Sequence, residues 1–165
     1  MSVRALSSDD LDWVLALNKA YEEALSPLTR DSLAALSETA FCALVAEPKA
    51  GFLLTFDETA EYDSPNFLWF RERYARFVYI DRIAISADHR RQGHAEALYA
   101  AFFEAAWREG HSHAVCEVNS DPPNPGSDRF HAALGFEEVG TARLADRGKT
   151  VRYYALSLQN VSERA

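Results

Sequence analysis

Apolar positions recur with two different periods along this chain. VRAL, near the start, alternates as a short strand. Ser8 then reads as the cap of a helix over DDLDWVLALNKAYEEAL, in which Leu11, Val14, Leu15, Asn18 and Tyr21 share one face. Asp9 and Asp10 suit the positive end of that helix. SPLT breaks it, and RDSLAALSE starts a second, shorter helix. FCALVAE and AGFLLTF read as two strands of a hairpin turned by PKA. FVYIDRIAI is the strongest strand pattern in the chain, and a helix follows it from about Gly93 to Glu109. GHSHAVCEV gives a turn and a strand, NSDPPNPG a loop, and SDRFHAALG a short helix closed by Gly135. FEEVGTARL and TVRYYALSL end the chain as strands around the turn ADRGK.

This order predicts one domain over residues 1–165, with an α/β (α+β) fold. The central strand–helix–strand unit needs a crossover, so its strands should run parallel. Hairpins join the outer strands, so the sheet should be mixed and mostly antiparallel, with helices on both faces. The connection 57–76 is long for a hairpin. Ser64-Pro65 looks like a helix start within it, and Phe67, Leu68, Phe70 and Tyr74 are too apolar for a free loop. Three readings fit: a lid, a short helix packed on the core, or a homodimer contact.

Composition narrows the function. The net charge is −8, with 48% hydrophobic and 25% charged residues. Such an acidic chain is a poor polyanion binder, so nucleic acid is not an expected partner, and cationic partners such as amines are weakly favoured. No apolar run reaches the roughly 18 residues of a membrane span, and no signal segment is visible, so no membrane partner is expected and the chain reads as cytoplasmic. Cys42 and Cys116 sit in apolar strand runs without a CxxC pair, and no cluster has metal spacing, so no metal is expected.

Two stretches carry candidate chemistry. In Arg90-Arg91-Gln92-Gly93-His94-Ala95 a strand end meets a helix start. Unpaired amides there carry the positive end of the dipole, Gly93 lets an anion approach the backbone, and arginines fork onto phosphate oxygens. The residues alone fit either a phosphate cradle or an ordinary helix start with solvated arginines. The second stretch, CEVNSDPPNPGSDRFHAALGFEEVG, presents Asn119 and Asn124 on a proline-rich loop, then Phe130 and His131 on a helix. If the two strand–helix units are neighbours, both loops lie beyond the carboxyl ends of the strands, where such sheets bind ligands.

Together the two stretches resemble the GNAT superfamily of acetyl-CoA-dependent N-acetyltransferases. Residues 90–95 match that family's [Q/R]xxGx[G/A] loop, and Leu98 the leucine that follows it. Asn124, Ser127, Phe130, Leu134, Gly135 and Phe136 match its second block. The resemblance implies a splayed central pair of parallel strands, with the pantetheine arm of acetyl-CoA bonded to the main chain of Ile83, Ala84 and Ile85. It places the pyrophosphate at residues 90–95, and Asn124 and Phe130 beside the arm. It also sets His131 where the family commonly has a tyrosine that protonates the leaving thiolate. Histidine can do this near neutral pH. Glu117 matches a glutamate used as base by some members, Asp81 on the central strand is the other candidate base, and Tyr79 a weaker one. A solvated carboxylate at Glu117 and an Asp81–Arg82 ion pair are the plain readings. The expected activity is acetyl transfer from acetyl-CoA to a primary amine, on a small molecule or a peptide N-terminus, by direct attack. The alternative is a non-catalytic acyl-CoA-binding sensor or interaction module.

Overall fold

The computed structural model describes residues 2–159. Seven strands form one sheet: β1 (Ser2–Ala5), β2 (Cys42–Glu47), β3 (Gly51–Asp57), β4 (Phe77–Ile85), β5 (His113–Asp121), β6 (Glu137–Leu144) and β7 (Lys149–Ser157). Their order across the sheet is β1-β2-β3-β4-β5-β7-β6. Every neighbouring pair is antiparallel except β4 and β5. The helices are α1 (Leu11–Ala20), α2 (Arg30–Thr39), α3 (Pro65–Arg71), α4 (His94–Arg108) and α5 (Pro125–Leu134). This is the mixed sheet that the sequence pattern predicts, with the crossover helix α4 between the parallel strands. Among the described residues, no helix is long and apolar enough to cross a membrane.

Helices cover both faces. On one, Leu98, Tyr99 and Phe102 of α4 pack with Val78, Ile80, Cys116 and Val118, and α5 adds Phe130 and Leu134. On the other, Phe67 and Phe70 of α3 meet Phe77, Tyr79, Val115 and Tyr153. Beside them, α1 and α2 bring Leu11, Val14 and Leu33 onto Val45, Phe52, Leu54 and Ala84. Within the segment 57–76, α3 docks on the core and buries both phenylalanines completely, while most of the flanking residues stay exposed or half-buried. The first helix is shorter than its pattern suggests. It ends at Ala20, and Tyr21 turns its hydroxyl to donate to the carbonyl of Ile85 at 2.8 Å. Ser7, rather than Ser8, precedes the opening helical turn, and its amide donates to Asp10 at 2.9 Å.

Two irregularities of β4 shape everything near the site. Its parallel ladder with β5 consists of three pairs, ending at Tyr79 and Val115. Beyond them β4 stays paired with β3, and β5 with β7, so the two strands diverge. A β-bulge also sits in β4, because Ile80 pairs with Thr55 and Arg82 with Leu54, leaving Asp81 as the extra residue. Side chains alternate along a strand, and one inserted residue reverses the alternation. Before the bulge Val78 and Ile80 face α4; after it Ile83 and Ile85 do.

The far edge of the sheet is clamped by Trp69 of α3. Its ring stacks on Tyr153 at 4.2 Å, and the Arg73 guanidinium covers it at 3.8 Å. Gly140 lies below, where an added Cβ would stand 2.5 Å from the indole. Gly140→Ala should therefore lose about 1–3 kcal/mol in chemical denaturation, because the sandwiched ring has little room to shift. A stability equal to wild type would show that the ring moves freely.

Candidate active site

The diverging strands frame a cavity of about 340 Å³ on the α3 side of the sheet. Glu117 and Asp81 each stand two residues beyond the last parallel pair, on opposite sides of the divergence, and both line the cavity. Tyr62, Tyr79, Arg82, Arg147 and Lys149 line it too, with the loop Ser26, Pro27 and Leu28.

The two carboxylates have different surroundings. Asp81 and Arg82 leave the bulge on the same side, and Arg82 Nε donates to Asp81 Oδ2 at 2.8 Å. Both side chains are only 5% exposed. Tyr62 donates its hydroxyl to the other oxygen, Oδ1, at 2.6 Å. Arg82 also reaches Asn18 Oδ1 at 3.0 Å and the carbonyl of Ser26 at 2.9 Å. Asp81 is thus a fully engaged member of a structural network, as the ion-pair reading expects. Glu117 is partnered by a phenol and, among the described residues, forms no salt bridge. The Tyr79 hydroxyl donates to its Oε1 and lies 3.0 Å from Oε2. Burial raises the Glu117 carboxyl from its ordinary 4.5 to about 8, and nearby Asp81 adds to this, while the Tyr79 bond and the Arg147 charge oppose it. Tyr79 is buried and its phenol is pushed well up, chiefly by burial, so it acts as a donor to Glu117.

At the same end of the strands, residues 90–95 form the tight turn that the sequence suggests. Arg91 and Gly93 adopt left-handed conformations, at φ of 62° and 83°. Gly93 precedes α4, and no side chain caps its amides. In contrast, Thr29 caps α2 and Asn124 caps α5. The first-turn amides of α4 are therefore available donors at the positive end of a 15-residue helix. The side chains of the turn have separate fates. Arg90 bends back to the Tyr21 hydroxyl and ring, while Arg91 and Gln92 are exposed. His94 turns into the protein, so it and Ala95 offer their backbones to this end. Ile83, Ala84 and Ile85 lie on the diverging part of β4. Asn124 uses Oδ1 to accept from the amide of Ser127 at 3.3 Å, and Phe130 packs edge-on against Tyr99 at 5.3 Å.

His131 is not at the cavity. It is 4% exposed, on the α4 side of the sheet. Its Nδ1 lies 2.8 Å from the carbonyl of Ser127, which fixes the proton there, and Nε2 then accepts from the Tyr99 hydroxyl at 2.8 Å. Burial pulls its pKa down, outweighing the Ser127 bond and Asp128. Both nitrogens are occupied, and the contact with Tyr99 ties α5 to α4. Sequence reasoning also passed over Tyr62, Arg147 and Lys149. They sit in a loop and a hairpin turn that carry no motif, and only folding brings them to one cavity.

Two measurements check these assignments. The folded pKa of Glu117 lies above its unfolded value, so its contribution to stability is complete below about pH 4.5 and is lost as pH rises through about 8. Glu117→Gln should lack this loss and gain on wild type across that interval in denaturation curves. Parallel curves would show an ordinary carboxylate. His131→Phe should lose about 1–3 kcal/mol by stranding the Tyr99 hydroxyl; unchanged stability would argue against the buried pair.

Comparison with known proteins bears on the fold and the family. In overall fold the chain superposes on Ard1 from Thermoplasma volcanium, with a TM-score of 0.73 at 18% identity, covering 94% of this chain and 96% of that one. It also superposes on yncA from Salmonella typhimurium with its cofactor acetyl-CoA, at 0.72 and 19%, over 96% and 94%. A third match is the ribosomal-protein-S18-alanine N-acetyltransferase from Escherichia coli, at 0.68 and 19%, over 95% and 93%. No curated protein matches the chain in sequence. Residues 16–136 match the acetyltransferase (GNAT) family, most of the chain and both loops included, and the protein belongs to that family.

Proposed function

We propose that this protein transfers the acetyl group of acetyl-CoA to a primary amine by direct attack, with Glu117 as general base. One observation carries the reading: a carboxyl raised to about 8 stands at the divergence of β4 and β5, inside a cavity of about 340 Å³. A carboxylate with that affinity for protons takes one from an ammonium acceptor near neutral pH, whereas an ordinary carboxylate is too weak a base. The amine nitrogen then bonds to the thioester carbon and the carbon–sulfur bond breaks. The thiolate leaves with the electron pair, needing little help near neutral pH, and the second proton of the nitrogen passes to it or to water. This reading assigns no acid to His131. Asp81 and Arg82 hold the strand and Tyr62 in place.

The donor fits the opposite side of the same opening. The diverging edge of β4 at Ile83, Ala84 and Ile85, where the Ile85 carbonyl already accepts from Tyr21, offers its remaining main-chain groups to an extended amide arm, and the uncapped amides at 91–95 suit its pyrophosphate. Asn124 and Phe130 lie on the neighbouring helix and flank the arm in this arrangement. A module that binds acyl-CoA without turnover has no need of a titrating carboxylate at the cavity.

Glu117→Gln should lower kcat by about 10²–10⁴-fold while the acetyl-CoA Kd from calorimetry stays the same. The rise of wild-type turnover toward a plateau above about pH 8 should vanish with it. Near-normal turnover would remove Glu117 from the mechanism. Gly93→Val should weaken acetyl-CoA binding, because valine resists a φ of 83° and shields the amides. An unchanged Kd would place the pyrophosphate elsewhere.

A further inference from the structure

We propose that the acceptor is a small amine that also carries an anionic group, a carboxylate or a phosphate, bound by Arg147 and Lys149 while its amine faces Glu117. The inference rests on the acetyl-transfer reading above and specifies its acceptor.

Size is the first argument. A cavity of about 340 Å³ lies at the small end of ligand sites, which run from about 300 to 1,000 Å³. It suits a compact metabolite better than the several residues of a protein tail.

The arrangement of charge is the second. The acidic side of the cavity comes from the central strands, at Asp81 and Glu117. The basic side comes from the β6–β7 connection, where the turn Ala145–Arg147 closes on Gly148 at φ 62° and leads into Lys149. Most of these charges already have partners. Asp81 is taken by Arg82 and Tyr62, and Lys149 Nζ donates to the carbonyl of Glu23 at 2.8 Å. Arg147 is exposed and, among the described residues, makes no hydrogen bond or ion pair. Its charge is nonetheless felt at Glu117. A guanidinium fork at the wall of a site matches the paired oxygens of a carboxylate or phosphate.

An acceptor with positive charge alone would sit against Arg147 and Lys149 without compensation. Charges of one sign at close range disfavour binding, so the basic wall selects against polyamines. Asp63, exposed on the lining, is a carboxylate that would serve a second ammonium. The comparison of anionic and polycationic amines therefore decides the matter.

The test uses the full chain with acetyl-CoA and matched amines: β-alanine against β-alaninamide, O-phosphoethanolamine against ethanolamine, and spermidine. Thiol release gives kcat and KM for each, and calorimetry in the presence of CoA gives binding without turnover. At least one anionic member should exceed its neutral partner about tenfold in kcat/KM, mainly through KM, and bind more tightly in calorimetry. The relative success of the two anionic amines tells carboxylate from phosphate. Arg147→Gln should raise KM for the anionic amine and shrink the ratio within its pair. The ratio matters because Arg147 also acts on Glu117, and that effect is common to both members. Equal kcat/KM within both pairs, or a preference for spermidine, overturns the anionic acceptor and leaves acetyl transfer standing. An unchanged ratio in Arg147→Gln overturns the role of this side chain. Failure to acetylate any amine or to bind acetyl-CoA overturns both proposals.

Discussion

The site depends on the early end of one ladder. Parallel pairing of β4 and β5 stops after three pairs, and every strand on either side keeps its antiparallel partner. Backbone amides and carbonyls require partners, so a divergence at the middle of a sheet is costly unless something polar and extended lies between the strands. The bulge at Asp81 accompanies it. It bends β4, sends Asp81 and Arg82 the same way, and lets Arg82 bind Asn18 of α1 and the Ser26 carbonyl. One inserted residue thus joins the strand, the first helix and the loop that walls the cavity.

Charge is divided across this framework according to burial and company. Asp81 has both oxygens engaged, by a guanidinium and by a phenol. Glu117 is raised by burial and by nearby Asp81, against the pull of the Tyr79 phenol. The two carboxylates stand at equivalent steps past the same ladder, so their different chemistry comes from their neighbours. His131 makes a related point. A chemically capable side chain in a family position is buried with a helix carbonyl on one nitrogen and a tyrosine on the other.

Much of the fold was legible because its signals are local. Strand alternation in FVYIDRIAI, the left-handed Gly93 and Gly135, and the Ser64-Pro65 start of α3 each require only adjacent residues. The glycine turn was legible for the same reason. The bulge was not, because FVYIDRIAI reads as an unbroken strand and the slip appears only in its register with β3. The early end of α1 depends on Tyr21 reaching Ile85, 64 positions away. Tyr62, Arg147 and Lys149 come to the cavity from segments without periodic pattern, so their meeting is a property of the tertiary structure. The burial of His131 is set by Tyr99, one turn along a different helix, and no spacing within α5 announces it.

The short ladder between β4 and β5 also bears on how this protein can change. Substitutions that drew the two strands together would complete more backbone pairs and add stability to the ligand-free chain. They would do so by closing the opening on which the proposed binding depends. Improvement of the sheet and retention of its use are therefore opposed at this point, and variants selected for thermal resistance alone should drift toward an inactive, better-paired core. Stabilising changes compatible with function are to be sought elsewhere, along the outer strands and the α3 clamp.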